Sequence, residues 1–298
     1  MHIELAGISW DLVSDYQQLT TYPFMVQALE AGAIVAVMAG AIGWFMVLRR
    51  QTFAGHTLSV IAFPGAAGAT LAGLPIALGY FGACGFGALV LALLGRDGRG
   101  SDFGGESATI GTVQAFGLGL GFLFVGLYGG QLIGLESLLF GTFLGITASQ
   151  VQTLLWVAVA VLVVLTVIGR PLLFASVDAG VARAAGVPTG LLDLAFLLLL
   201  GLAVAATAQI TGALLVFALL VTPAATAQQI TTRPGPGLAL SVGLALAVTW
   251  LGLVIAYFSP YPVGFWVTSL SFGLYVAVRV VSHLRDSRLG SRGFELAA

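Results

Sequence analysis

The sequence predicts an all-α fold, a polytopic helical membrane protein, and three observations carry that prediction. Mean hydropathy is +1.05 with only 8% charged residues, a balance outside the soluble range. Charge is missing from long intervals: no Asp, Glu, Lys or Arg lies between Arg50 and Arg96, Glu106 and Glu136, Glu136 and Arg170, Asp193 and Arg233, or Arg233 and Arg279. Each interval holds at least one span of roughly 20 residues, whereas an amphipathic soluble helix shows a charge every turn or two. The third observation is the spread of 41 glycines through the apolar runs, as in GLGLGF and GAAGATLAG. Small faces of that kind let helix backbones approach closely in lipid.

Taken in order, the apolar runs are 25–48, 57–74, 76–95, 109–127, 150–169, 191–208, 211–230, 237–257 and 265–282. They make nine spans, or eight if the second and third, divided only at Leu74-Pro75, form one broken element. The first run ends at Arg49 and Arg50. Arg96 and Arg99, Arg170 and Arg183, Arg233, and the tail Arg279, Arg285, Arg288 and Arg292 then fall at alternate ends of the spans. The opposite ends carry aromatics and turn residues, as in Tyr128-Gly129-Gly130 and Phe258-Ser259-Pro260-Tyr261-Pro262. The positive-inside rule makes the arginine ends cytoplasmic. An odd number of spans places the N-terminus outside and the C-terminus inside, in a multi-pass plasma (inner) membrane protein. The whole chain, 1–298, reads as one transmembrane domain. Residues 1–24 form an extramembrane segment without the basic and apolar regions of a signal peptide, so it is expected to stay on the mature protein. Residues 284–298 form a cytoplasmic tail.

Two segments do not read as spans. Residues 131–147 (QLIGLESLLFGTFLGIT) are apolar, short of a crossing and broken by glycines, which predicts a re-entrant or interfacial helix on the outer side. Residues 171–190 predict a cytoplasmic loop with a short helix from about Asp178 to Gly186: Asp at its start, alanines within, Gly and Pro at its end.

Composition excludes several function classes. The net charge of −1 offers no basic face for nucleic acid. The single cysteine, Cys84, rules out an intramolecular disulfide and a Cys-based zinc cluster, and its apolar surroundings predict a core role. The chain has no lysine, so it cannot complete a phosphate-binding G-x-x-x-x-G-K-[ST] loop.

Two motifs stand out. RRQTFAGHTLSVIAFPG, Arg49 to Gly65, gathers charge, a histidine, hydroxyls and a helix breaker at a membrane boundary. His56 reads either as an interfacial histidine or as a ligand for zinc, manganese or iron. Ser59 shares its helical face. Pro64 removes a backbone hydrogen bond and either frees carbonyls near a translocation path or is a plain kink. The second motif, AQITGALLVFALLVTPAATAQQI, is a span with Thr207, Gln209 and Thr211 at one end and Thr222, Thr226, Gln228 and Gln229 towards the other, with Pro223 inside. Hydroxyls and amides in lipid must bond to a neighbour or face a wet cavity. Glu30, in the first span, is by default a functional carboxylate or one that snorkels to the interface. Glu136 reads as a solvated carboxylate or as one that meets an incoming ion; His2 and His283 read as solvated.

The runs GHTLSVIAFPG and GALLVFALLVTPAATA, with ESLLFGTFLGIT and RAAGVPTGLLD, resemble those of the metal-ion (zinc, manganese or iron) permeases of ABC importers, over nearly the whole chain from about residue 25. The resemblance implies a membrane permease that forms a homodimer and works with a cytoplasmic ABC ATPase and an extracytoplasmic metal-binding lipoprotein or periplasmic protein. No cofactor is bound permanently; a divalent transition metal is the transported substrate and ATP is used by the partner. It implies a translocation pathway with His56, Ser59, Glu30, Thr222 and Gln209, kinks at Pro64 and Pro223, and ATPase coupling through Asp178, Arg183, Ala184, Ala185 and Gly186. One departure stands out: many members resembling this chain carry a carboxylate at the His56 position and a histidine at the Val60 position. The spacing puts residues 56 and 60 on one face, a turn apart, so a single strong ligand remains there. Alternatives are a permease for metal chelates of siderophore or cobalamin type, and an ion-coupled secondary transporter. The second would need paired membrane carboxylates, and only Glu30 is available; an intramembrane enzyme finds no paired catalytic constellation.

Overall fold

A computed structural model describes residues 21–94, 103–128, 138, 139, 141 and 145–295. The regular elements among them are helices: α1 (Pro23–Leu48), α2 (Thr52–Leu71), α3 (Ile76–Leu94), α4 (Phe103–Tyr128), α5 (Ala148–Val177), α6 (Ala179–Ala184), α7 (Thr189–Ile230), α8 (Pro234–Tyr257) and α9 (Val263–Glu295). Residues 1–20, most of the expected re-entrant segment 131–147 with Glu136, and the last three residues of the expected tail lie outside the described residues.

Among the described residues, seven helical segments are long and apolar enough to cross a membrane: α1, α3, α4, α5, the first part of α7, α8 and α9. The two other apolar runs are α2, which carries the histidine and hydroxyls of the first motif, and the shorter helix Leu215–Ile230. The possibility of one broken element at Leu74-Pro75 is not realised. α2 and α3 are separate helices packed side by side, and Gly65 and Gly79 face each other so closely that a Cβ on either would collide with the other's carbonyl oxygen.

Two departures from the sequence reading concern helix ends. α5 runs on through Arg170 and Pro171 to Val177, so the first part of the expected loop 171–190 is helical. Proline fixes a helix-compatible φ and withdraws only one donor, and inside a packed bundle that loss does not end a helix. At the other terminus, the expected tail from residue 284 continues α9 as far as Glu295.

α7 is not straight. Gly212, at φ 75° and ψ 158°, is its one non-helical residue. A straight helix would separate Asp193 from Gln228 by roughly 50 Å. Yet both touch the end of α1: Asp193 pairs with Arg49, and Gln228 Nε2 donates to the Trp44 carbonyl at 2.8 Å. The element is therefore a V, with arms 189–211 and 213–230 and its apex at Gly212. At the apex a Cβ on Gly212 would lie 2.5 Å from the carbonyl carbon of Leu139, so a backbone segment from outside α7 closes on the bend.

α1 and the first arm of α7 form the centre. In α1, 72% of the apolar window is buried, against 11% in α4, which marks α4 as peripheral. Glycines make the central packing possible: a Cβ on Gly43 would strike the Leu220 carbonyl, and one on Gly40 would sit 2.8 Å from Val242 Cα. The same approach lets buried Ser241 donate to the Gly40 carbonyl at 2.8 Å. Cys84 is fully buried in this core, as expected.

Candidate functional site

The first motif begins where α1 ends. Gln51 N donates to Met46 O at 2.9 Å and Arg50 N to Val47 O at 3.0 Å, with Arg50 at φ 57°. This is the Schellman arrangement, here with an arginine in the left-handed position. It stops α1 and starts α2 within three residues, so His56 is held in the second turn of α2, beside the last turns of α1.

His56 is half-buried. Its ring centroid lies 4.7 Å from that of Phe217 on the second arm of α7, the planes tilted by 57°. Its Nδ1 is buried without a hydrogen-bond partner. Ser59 Oγ donates to the His56 carbonyl at 2.7 Å and is itself buried, so this hydroxyl closes a local turn. Val60 is buried one turn on. Thr57 Oγ1 donates to Phe53 O at 2.9 Å and accepts from Gln114 Nε2 on α4, also at 2.9 Å.

The other expected pathway residues separate into two levels. Thr222 and Pro223 lie on the same α7 arm as Phe217, at the arginine end, with Pro223 buried and Thr222 half-buried; the Thr222 carbonyl accepts from Thr226 Oγ1 at 2.7 Å. Gln209 belongs to the far level, near the apex of the V, where Nε2 donates to Ala205 O at 3.3 Å and the side chain borders a small niche with Gln150 and Thr153. Glu30 is exposed on α1, and helix rise alone puts it roughly 20 Å from the His56 level. The structure thus gathers His56 and Ser59 with the second α7 arm, and leaves Glu30 and Gln209 at the opposite end. Pro64 is buried and borders an apolar groove between α2, α3 and α4.

The segment expected to couple to the ATPase forms as a compact unit. Asp178 caps α6, its Oδ1 accepting from Gly180 N at 2.8 Å and Val181 N at 2.9 Å. Arg183 Nε donates back to Ala179 O at 3.1 Å, and Gly186 supplies the left-handed turn (φ 82°) that ends the helix. Ala184, Ala185 and Gly186 are exposed, while Ala182 is the buried anchor. Val177, Val181 and Leu191, in and on either side of α6 along the chain, are exposed apolar residues.

Sequence reasoning missed Phe217 and Gln114 as partners of the His56 turn. Their polar or aromatic character was visible, but their position opposite α2 is a tertiary fact. Thr207, which the sequence set at one end of the second motif, is a buried hydroxyl without a partner near the apex. Among the described residues no group of three or more His, Cys, Asp or Glu gathers to hold a metal.

Comparison with known proteins completes the picture. The profile of the ABC 3 transport family matches residues 21–282. The chain is 31% identical over 218 residues, 73% of each chain, to the manganese transport system membrane protein MntC of Halalkalibacterium halodurans. It is 30% identical to the chelated iron transport system membrane protein YfeC of Yersinia pestis, covering 80% of this chain and 79% of that one. Among solved structures, PsaBC from Streptococcus pneumoniae in complex with Fab superposes with a TM-score of 0.79 at 26% identity, over 89% of this chain and 94% of that chain.

Proposed function

This chain belongs to the ABC 3 transport family, and from that premise we propose that it is the membrane-spanning permease subunit of an ATP-driven importer for divalent transition-metal ions. It is a transport subunit and not an enzyme; ATP is hydrolysed by a separate subunit, in keeping with a chain that has no lysine for a phosphate-binding loop. The relatives are named for manganese and for chelated iron, and zinc completes the set that an imidazole accepts.

The observation that carries this reading is the pairing of an isolated imidazole with a docking element at one end of the bundle. His56 Nδ1 is buried and unpartnered, and α6, capped by Asp178, presents exposed apolar residues nearby in the fold. In this proposal the arginine end is cytoplasmic, as positive charge directs, and α6 docks on the ATPase. An extracytoplasmic metal-binding protein delivers the ion at the far end, where Glu30 and Gln209 lie. The ion passes between two copies of the chain, related by the two-fold symmetry common among assemblies, and meets His56 on its way. ATP-driven closure of the partner, transmitted through α6, shifts the population between outward- and inward-open states.

The test is manganese uptake into proteoliposomes that hold this chain with its ATPase subunit, supplied with the binding protein. Uptake that requires ATP is the expected result. Uptake driven by an ion gradient without ATP would overturn the proposal in favour of a secondary carrier.

A further inference from the structure

Arg49 occupies a position that the transport reading leaves unexplained. Its side chain is only 8% exposed although it is charged, and it is held by residues of two other helices. Nη2 pairs with the Asp193 carboxylate in the first turns of α7. Nη1 donates to Ser176 Oγ near the end of α5 at 3.1 Å. The guanidinium also lies over the Phe196 ring, 5.4 Å from its centroid. A planar cation with a fork of donors can satisfy all three at once; an ammonium cannot.

The partners matter because of what lies between them. Ser176 stands just before α6 and Asp193 just after it, so one side chain closes the base of the stretch 177–192 that carries α6. α6 itself packs only on its chain neighbours α5 and α7 among the stronger contacts. Arg49 in turn is the C-cap of α1, and the turn it begins leads into the helix bearing His56 within three residues. α1 and α2 hardly pack on each other, so the turn is their main link.

We propose that Arg49 is a positioning residue that clasps both ends of the α6 segment and carries its displacement to the α1–α2 corner, hence to His56. The proposal rests on the permease reading above. The clasp needs both attachments: a link to Asp193 alone would let α5 and α7 part around α6, and a link to Ser176 alone would lack the opposite charge. Breaking it separates ATP hydrolysis from ion movement; in Asp193→Asn the nearly buried Arg49 cation keeps the Ser176 hydroxyl, the Phe196 ring and an amide oxygen in place of the carboxylate, so the cost is confined to this corner of the bundle.

The test uses the complete transporter in proteoliposomes with Mn²⁺ as the probe, comparing wild type, Asp193→Asn and Arg49→Lys. Three quantities are read: basal ATPase rate, its stimulation by the metal-loaded binding protein, and manganese moved per ATP. In Asp193→Asn the basal rate stays within about twofold, stimulation is lost and manganese per ATP falls about tenfold, the scale of a typical coupling between sites. Arg49→Lys keeps the charge and the fold but not the fork, and loses about threefold in manganese per ATP. Wild-type stoichiometry in Arg49→Lys overturns the proposal, even if Asp193→Asn cannot be purified. A parallel fall of basal ATPase, uptake and melting temperature in both variants also overturns it, as the mark of a merely structural ion pair. A wild-type complex that moves no manganese with ATP refutes the permease reading itself, a different outcome from either of these.

Discussion

Gly212→Ala tests the bend at the apex of α7. The residue sits at φ 75° and ψ 158°, a region close to glycine-only, where a side chain costs about 1–3 kcal/mol of backbone strain. The methyl would also meet backbone and not a rotatable side chain: the carbonyl carbon of Leu139 lies 2.5 Å from the Cβ position. Relief requires moving a chain segment by roughly 1 Å, an overpacking cost of about 1–3 kcal/mol. Together the two terms give about 2–6 kcal/mol, or a fall in melting temperature of roughly 3–10 °C for a chain of this length. The assay is thermal unfolding of the purified complex followed by tryptophan fluorescence, with Gly243→Ala as control, since nothing lies within 4 Å of a Cβ there. That control should be neutral or slightly stabilising, because alanine favours the helix. Gly141→Ala strikes the same contact from the other side, its Cβ 2.6 Å from Gly212 N. The double variant should therefore cost less than the sum of the two. An unchanged melting temperature in Gly212→Ala, or strict additivity with Gly141→Ala, would refute the bend as described.

Three further outcomes follow from the site. His56→Ala should reduce manganese uptake about tenfold, whereas His56→Asp, which keeps a metal-ligating side chain, should retain most of it; equal uptake in wild type and alanine variant removes His56 from the pathway. Val60→His places a second imidazole one turn from His56 and should tighten metal binding to the detergent-solubilised complex at least about tenfold, measured by calorimetry, while uptake slows because release does; an unchanged affinity would show that the two positions do not share a face. Asp178→Ala removes the cap that accepts from Gly180 and Val181, costing about 1 kcal/mol of local helix stability. It should speed amide exchange in α6 and weaken ATPase docking, and unaltered exchange would count against the cap.

The fold was legible where lipid is the judge. Bilayer thickness and the need to satisfy every backbone polar group dictate long apolar runs, so the runs 191–208 and 211–230 could be separated before their geometry was seen. That Gly212 is the apex was not legible, because among so many glycines nothing in the sequence marks which ones take a positive φ. The continuation of α5 past Pro171 was misread as loop because proline ends helices in water, where its missing donor and ring clash go uncompensated. Ser59 was correctly set on the His56 face, yet its hydroxyl turns back to the His56 carbonyl, a choice made by local geometry that spacing cannot reveal. The partners Phe217 and Gln114 lie far off in sequence, and only the V of α7 and the side-by-side packing of α2 with α4 bring them to the motif.

The thin ligand set at His56 fits the proposed task better than a full metal site would. An ion that must enter and leave has to be held weakly, and a buried cage of three or four ligands would trap it. A lone imidazole against an aromatic ring, with Val60 closing the adjacent position, offers one bond that a small movement can break. In the proposed reading that bond lies where such a movement arrives. His56 follows the α1–α2 turn by one helical turn, and the same turn bears the arginine that reaches both ends of the α6 segment. A shift of α6 therefore has a short, rigid route to the one strong ligand, through a side chain and a tight turn. Weak holding and a short lever belong together, since a movement of an ångström or two can control release only where a single contact decides it.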